Sequence, residues 1–137
     1  MYNENPLGLD GIEFTEFATS DVDFMEKVFL DFGFSKLKKH QDKDIIYYNQ
    51  NDIHFLLNND KSGFSHQFAQ LHGPAICSMG WRVEDAEFAL AEAVKRGARP
   101  VNNSDLPYPA IYGIGDSLIY FIDRYGDKGT IYQNDFI

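Results

Sequence analysis

A chain of 137 residues, 44% hydrophobic and 15% aromatic, is long enough for one packed domain and too apolar to be disordered. Its net charge of −9 repels phosphate backbones and anionic lipid, which argues against nucleic acid or a membrane as partner. The longest apolar runs, 45–48 and 118–122, are too short to cross a bilayer, and Cys77, the sole cysteine, excludes an internal disulfide and suits a cytoplasmic protein.

The N-terminal MYNENPLGLDG has neither the basic start nor the apolar stretch of a secretory leader. Residues 11–18, GIEFTEFA, read as a strand with two glutamates in it. A helix follows over 21–32, with Ser20 as the expected N-cap and Val22, Met25, Val28, Phe29 and Phe32 on its inner face. Gly33 stops it. Strands are expected at 34–40, 44–49 and 53–58, the last two joined as a hairpin. A short helix over 62–73 forms a linker closed by Gly73-Pro74. The order then repeats: a strand at 76–83, a helix over 85–96 capped by Asp85, and strands at 99–101, around Tyr112 and at 117–123. The inner face of this second helix is expected to carry Phe88, Ala91, Val94 and Lys95.

A single domain over 1–137 is thus expected to hold two modules, about 9–60 and 75–130, each a strand, a helix and three strands. Such meanders indicate an α+β fold with mixed sheets, here two paired βαβββ modules closing a cupped sheet. Period-2 alternation turns Ile12 and Phe14 toward the helix, and Glu13, Thr15 and Phe17 into the cup. In the second module it turns Ser78, Gly80 and Arg82 into the cup, and Met79, Trp81 and Val83 toward the helix. Glu13 is therefore expected to find Arg82, or a hydroxyl of Ser78 or Tyr120, while Glu16 reaches solvent near the strand end.

Catalytic motifs are absent. No GxSxG turn or phosphate loop occurs, and 113-GIG-115 reads as a turn. His66 and His72 do not share a helix face, and His72 is expected to cap its helix. His54 reads as a core or edge histidine, and His40 as the end of a solvated basic strand. Cys77 is expected to be a packing residue beside Met79 and Trp81. The acidic residues at the helix starts, Asp21, Asp23, Glu84 and Asp85, read as caps and dipole compensation.

The paired βαβββ arrangement resembles the vicinal oxygen chelate superfamily of glyoxalases, bleomycin-resistance proteins and extradiol dioxygenases. Segments 5-NPLGLDGIEFTEFA-18, 72–101, 113-GIGDSLIYFIDRYG-126 and 130-TIYQNDF-136 resemble the N-terminal domain of 4-hydroxyphenylpyruvate dioxygenase, in the family's order. The resemblance implies tyrosine catabolism, with 4-hydroxyphenylpyruvate and O₂ converted to homogentisate and CO₂ by an Fe(II) enzyme. It also implies that this chain is the first half only. The iron ligands, two His and one Glu, belong to the second.

The resemblance further places Glu13, Phe55, Ser78 and Tyr120 in the superfamily's ligand slots. That set lacks the two histidines of a facial iron site. No metal, cofactor or catalytic residue is therefore expected in this chain, which alone would be inactive. Tyr120 joins the cup-facing set, with Phe17, Phe55 and Tyr120 filling the cup. The implied partners are a C-terminal catalytic domain and further copies in a homo-oligomer. The alternatives are a stand-alone binding protein with a small organic ligand in the cup, or the first half of a hydroxymandelate synthase.

Overall fold

The computed structural model describes residues 4–137, so the first three residues of the N-terminal stretch read for a leader lie outside the described part. Seven strands form one mixed sheet: β1 (Leu9–Ala18), β2 (Ser35–Lys39), β3 (Ile45–Gln50), β4 (Ile53–Asn58), β5 (Ala75–Val83), β6 (Ala110–Tyr112) and β7 (Leu118–Ile122). Among the described residues four α-helices accompany them: α1 (Val22–Asp31), α2 (Phe64–His72) and α3 (Ala86–Lys95) between strands, and α4 (Ile131–Asn134) after the last. The sheet order is β2-β3-β4-β1-β5-β7-β6. β1 lies at its centre, parallel to β4 and antiparallel to β5, while β5 runs parallel to β7.

The second module is shorter than the sequence repeat predicts. In place of a strand at 99–101 there is a single bridge, Pro100 to Ile111. Proline offers no N–H to a ladder, and the flanking bonds come from Val101 N–H to Ala110 and Tyr112 N–H to Arg99.

Helix ends and faces follow local chemistry. Asp21, not Ser20, caps α1: its carboxylate accepts from Phe24 N–H at 3.1 Å. Asp85 caps α3 as expected, accepting from Phe88 N–H at 3.0 Å. Replacing Asp85 with alanine should lower stability by ~1 kcal/mol in a urea titration, since one helix N–H loses its partner. On α3 the buried residues are Ala86, Ala89 and Ala93, while Phe88 and Val94 are exposed. Small side chains at this helical spacing let the helix settle close over Ile111 and Phe121 of the sheet. On α1 only Phe29 is fully buried, and Phe32 is exposed.

The decisive irregularity lies in β1. Ile12 pairs with Trp81 and Phe14 with Gly80, so Glu13 is an extra residue opposite a single step of β5. A bulge of this kind advances the side-chain phase by one. Phe14 consequently faces the cup, not the helix, and packs in a cluster with Leu56, Leu118, Tyr120 and Ile122. Thr15 and Phe17 leave the cup-facing set, and Phe17 packs instead on Phe29 of α1 at a centroid distance of 4.9 Å. Besides a shift between Leu9 and Ile12, a third lies between Glu16–Ser78 and Phe17–Ile76, which makes Cys77 the extra residue on β5. Cys77 therefore packs with Ala18 and with Ala69 of α2, away from Met79 and Trp81.

The cup is full. Tyr120 belongs to its packing, but Phe17 and Phe55 lie on the α1 side with Phe29 and Phe34. The space expected for them is taken by Phe14, Ile45, Tyr47 and Leu56, and by Ile131, Tyr132 and Phe136 from α4 and beyond. Tyr47 and Tyr132 stack with centroids 4.0 Å apart.

Candidate functional site

Two buried carboxyl groups sit on the concave side of β1. Glu13 is 2% exposed and Glu16 is 1% exposed. The bulge explains how residues three apart share a face: Glu13 and Phe14 both turn inward, and alternation then brings Glu16 there again.

Glu13 is answered from two elements. Arg82 Nε on β5 donates to Oε1 at 3.0 Å. Tyr132 Oη on α4 donates to Oε2 at 3.1 Å. Burial pushes the Glu13 carboxyl up from its ordinary value, and Arg82 and Tyr132 pull it back only in part. Of the three partners expected for Glu13, Arg82 takes the role. Ser78 is occupied with Glu16, and Tyr120 Oη accepts from Leu106 N–H at 3.4 Å.

His54, not Phe55, is the cup-facing residue of β4 at this level. The hairpin pairs Asn49 with His54, and alternation puts His54, Leu56 and Asn58 on the concave face. Its Nδ1 lies 2.7 Å from Tyr47 Oη, and its Nε2 lies 3.8 Å from Glu13 Oε2. Burial and the Arg82 charge press the imidazole below its usual value. In the neutral tautomer that accepts from Tyr47 Oη at Nδ1, the ring N–H sits on Nε2, on the Glu13 side.

Glu16 does not reach solvent. Ser78 Oγ donates to Oε1 at 2.7 Å, Cys77 Sγ lies 3.3 Å from the same oxygen, and Asn58 Nδ2 donates to Oε2 at 3.0 Å. Burial raises its carboxyl, and the Asp105 charge adds to the rise. Asn58, Asp105 and Tyr132 were not singled out in the sequence, and His54 was read only as a core or edge histidine. Gly11, a glycine inside a predicted strand with φ +104°, lies at a separate irregularity between Leu9 and Ile12 and gives no signal for these residues.

The remaining histidines lie apart. His40 is buried, not solvated, and its Nδ1 accepts from the Asp42 and Lys43 N–H groups at 3.1 Å each. His66 contacts Gln70 at 3.2 Å; His72 lies in the last turn of α2 against Phe68. The 113–115 turn leads into a short 3-10 segment, Ile114–Asp116, which Gly115 interrupts at φ +63°.

These residues do not fit Fe(II). A metal at Glu13 would meet the Arg82 guanidinium on one oxygen and displace the Tyr132 phenol from the other. Ser78 is turned to Glu16, Tyr120 to Leu106, and Phe55 lies on the opposite face. Among the described residues no group of three or more His, Cys, Asp or Glu is placed to hold a metal. What the arrangement does chemically is tie β1 to β4, β5 and α4 through a charge-assisted hydrogen-bond network.

Comparison with known proteins places this geometry. The family model described as "Hydroxyphenylpyruvate dioxygenase, HPPD, N-terminal" matches residues 3–137. Protein MelA of Shewanella colwelliana is 73% identical over 135 residues, which is 97% of this chain and 39% of that protein. The 4-hydroxyphenylpyruvate dioxygenase of Pseudomonas aeruginosa is 42% identical over 139 residues, with 96% of this chain and 39% of that protein covered. A solved "xylose isomerase-like TIM barrel/4-hydroxyphenylpyruvate dioxygenase fusion protein" superposes with a TM-score of 0.83 at 30% identity, over 100% of this chain and 22% of that one. The chain thus spans 39% of the length of these two curated relatives.

Proposed function

The chain belongs to the hydroxyphenylpyruvate dioxygenase N-terminal family, and from that premise we propose that it is the metal-free, structural half of a 4-hydroxyphenylpyruvate dioxygenase. In this reading the whole enzyme converts 4-hydroxyphenylpyruvate and O₂ to homogentisate and CO₂ in the cytoplasm, and Fe(II) is held by a C-terminal catalytic half. The present chain has no catalytic residue of its own. It supports that half by packing and contributes to a homo-oligomer. Its organisation is one domain of two modules, about 9–60 and 75–130, with the helix within 62–73 as linker.

The observation that carries the proposal is the use of Glu13. The one carboxylate in a superfamily ligand slot spends both oxygens on Arg82 and Tyr132. Against a small ligand in the cup stands the filling of that space by Phe14, Tyr47, Leu56 and Tyr132. A hydroxymandelate synthase would share this half, because the groups that divide the two reactions line the other one.

The test uses the full-length enzyme. Glu13→Gln should shift its urea midpoint while iron content stays at one per catalytic half and turnover stays within about twofold. Loss of iron or of turnover with an unchanged midpoint would overturn the proposal.

A further inference from the structure

Glu16 lies beyond the network just described and has an unusual companion. One nitrogen, Asn58 Nδ2, donates to Glu16 Oε2 at 3.0 Å and to Asp105 Oδ2 at 3.2 Å. A primary amide has two hydrogens, so this nitrogen is saturated by two carboxyl groups. Both groups are buried: Glu16 is 1% exposed and Asp105 is 8% exposed.

The groups facing Glu16 can be named element by element. β5 brings the Cys77 thiol and the Ser78 hydroxyl; β4 brings Asn58. The loop before β6 brings Asp105, and β7 brings the Tyr120 phenol, which feels the Glu16 charge. None is a cation, and no lysine, arginine or histidine among the described residues is ion-paired with either carboxyl. Two adjacent buried negative charges without a counter-ion are unstable.

Asp105 has the better claim to the charge. Its two oxygens accept the N–H groups of Phe64 and Ser65 at 3.0 Å each, at the positive start of α2. Glu16 has only a hydroxyl, a thiol and the shared amide. A serine hydroxyl can accept as readily as it donates, so at 2.7 Å it serves a protonated carboxyl equally well.

We infer that Glu16 is a neutral carboxylic acid in the folded protein, and that its proton lets one Asn58 amide join β1 to Asp105 and so pin the start of α2 to the sheet. Loss of the proton leaves two anions on one amide. The start of α2, held by Asp105, then loosens before the rest of the fold. The device does not depend on the proposed function.

The sign of the linkage is fixed by this assignment. A glutamate that keeps its proton in the fold but loses it when unfolded stabilises most below the unfolded value, 4.5, and loses that contribution as pH rises toward its folded value. Glutamine mimics the neutral acid, with one acceptor and one donor end, and does not titrate. The thermal midpoint of Glu16→Gln, compared with the native chain, should therefore rise steadily between pH 4.5 and pH 8. A constant or falling difference would overturn the assignment.

A second measurement does not rely on that variant folding. With ¹³C-labelled glutamate side chains, one carboxyl resonance should still lie at the protonated position at pH 7. Asp105→Asn should lower the pH at which that resonance titrates, because it removes the neighbouring charge and keeps a helix-capping side chain. If every glutamate resonance has moved to its ionised position by pH 7, the inference fails.

Discussion

Gly80→Val is expected to cost at least about 3 kcal/mol of stability, and Gly80→Ala about 1–3 kcal/mol, both read from urea midpoints. Nothing in the backbone of Gly80 demands glycine; the demand comes from space. A Cβ built there would lie 2.4 Å from Cε2, 2.6 Å from Cδ2 and 2.9 Å from Cζ of Phe14. Phe14 cannot swing away, because it is 1% exposed and hemmed in by Tyr120, 6.0 Å off between centroids. Accommodation would need the ring to leave its rotamer or β1 to separate from β5. Combining Gly80→Ala with Phe14→Leu should recover part of the loss, a non-additivity that marks a direct clash. An alanine variant as stable as the native chain would contradict the inward turn of Phe14, and with it the bulge at Glu13.

The second large effect concerns Arg82. Arg82→Met should destabilise by about 3 kcal/mol at neutral pH, the lower end for breaking a buried pair, since the Arg82 side chain is 30% exposed. The cost comes mostly from Glu13, left charged in a site that is 1% exposed. It should therefore depend on pH. Burial already raises the Glu13 carboxyl, and loss of Arg82 raises it further. A carboxyl raised in the fold contributes its stability below the unfolded value, 4.5, and loses it as pH climbs. The deficit of Arg82→Met should be small at pH 4.5 and full by pH 7.5. Adding Glu13→Gln should remove most of it. A deficit that stays level across this range would mean that Arg82 acts through packing on Tyr125, whose ring centre lies 5.0 Å from its guanidinium, rather than through charge.

Much of the architecture was legible where local signals agree with the fold. The hairpin strand β4 falls at Ile53–Asn58 as read, because turn residues bound a β-rich run on both sides. Asp85 announces α3, and Gly33 and Gly97 end their helices with φ of +95° and +106°. The site was only half legible. Arg82 reached Glu13 as expected, since regular alternation holds along that part of β5. The bulge at Glu13 broke alternation on β1, so Phe14, Thr15, Glu16 and Phe17 were all assigned to the wrong surroundings. A register shift arises from pairing across the sheet and leaves almost no trace in composition. Asn58 and Asp105 were invisible for a related reason: their role is to meet from the end of β4 and a loop 47 positions further along the chain.

The central position of β1 also governs the order in which the fold can be completed. Its parallel partner β4 ends at Asn58, so the four strands β2, β3, β4 and β1 can assemble as soon as the first module has left the ribosome. Its antiparallel partner β5 is finished only at Val83. Until then one side of β1 is an open sheet edge that carries Phe14 and Glu16 without Gly80 and Ser78 against them. At ~5–20 residues per second, synthesis of the intervening linker and strand takes roughly 1–5 s, far longer than a hairpin needs to form. The nascent first module therefore spends that interval with this edge of β1 uncovered, when a chaperone or a neighbouring chain could bind it in place of β5.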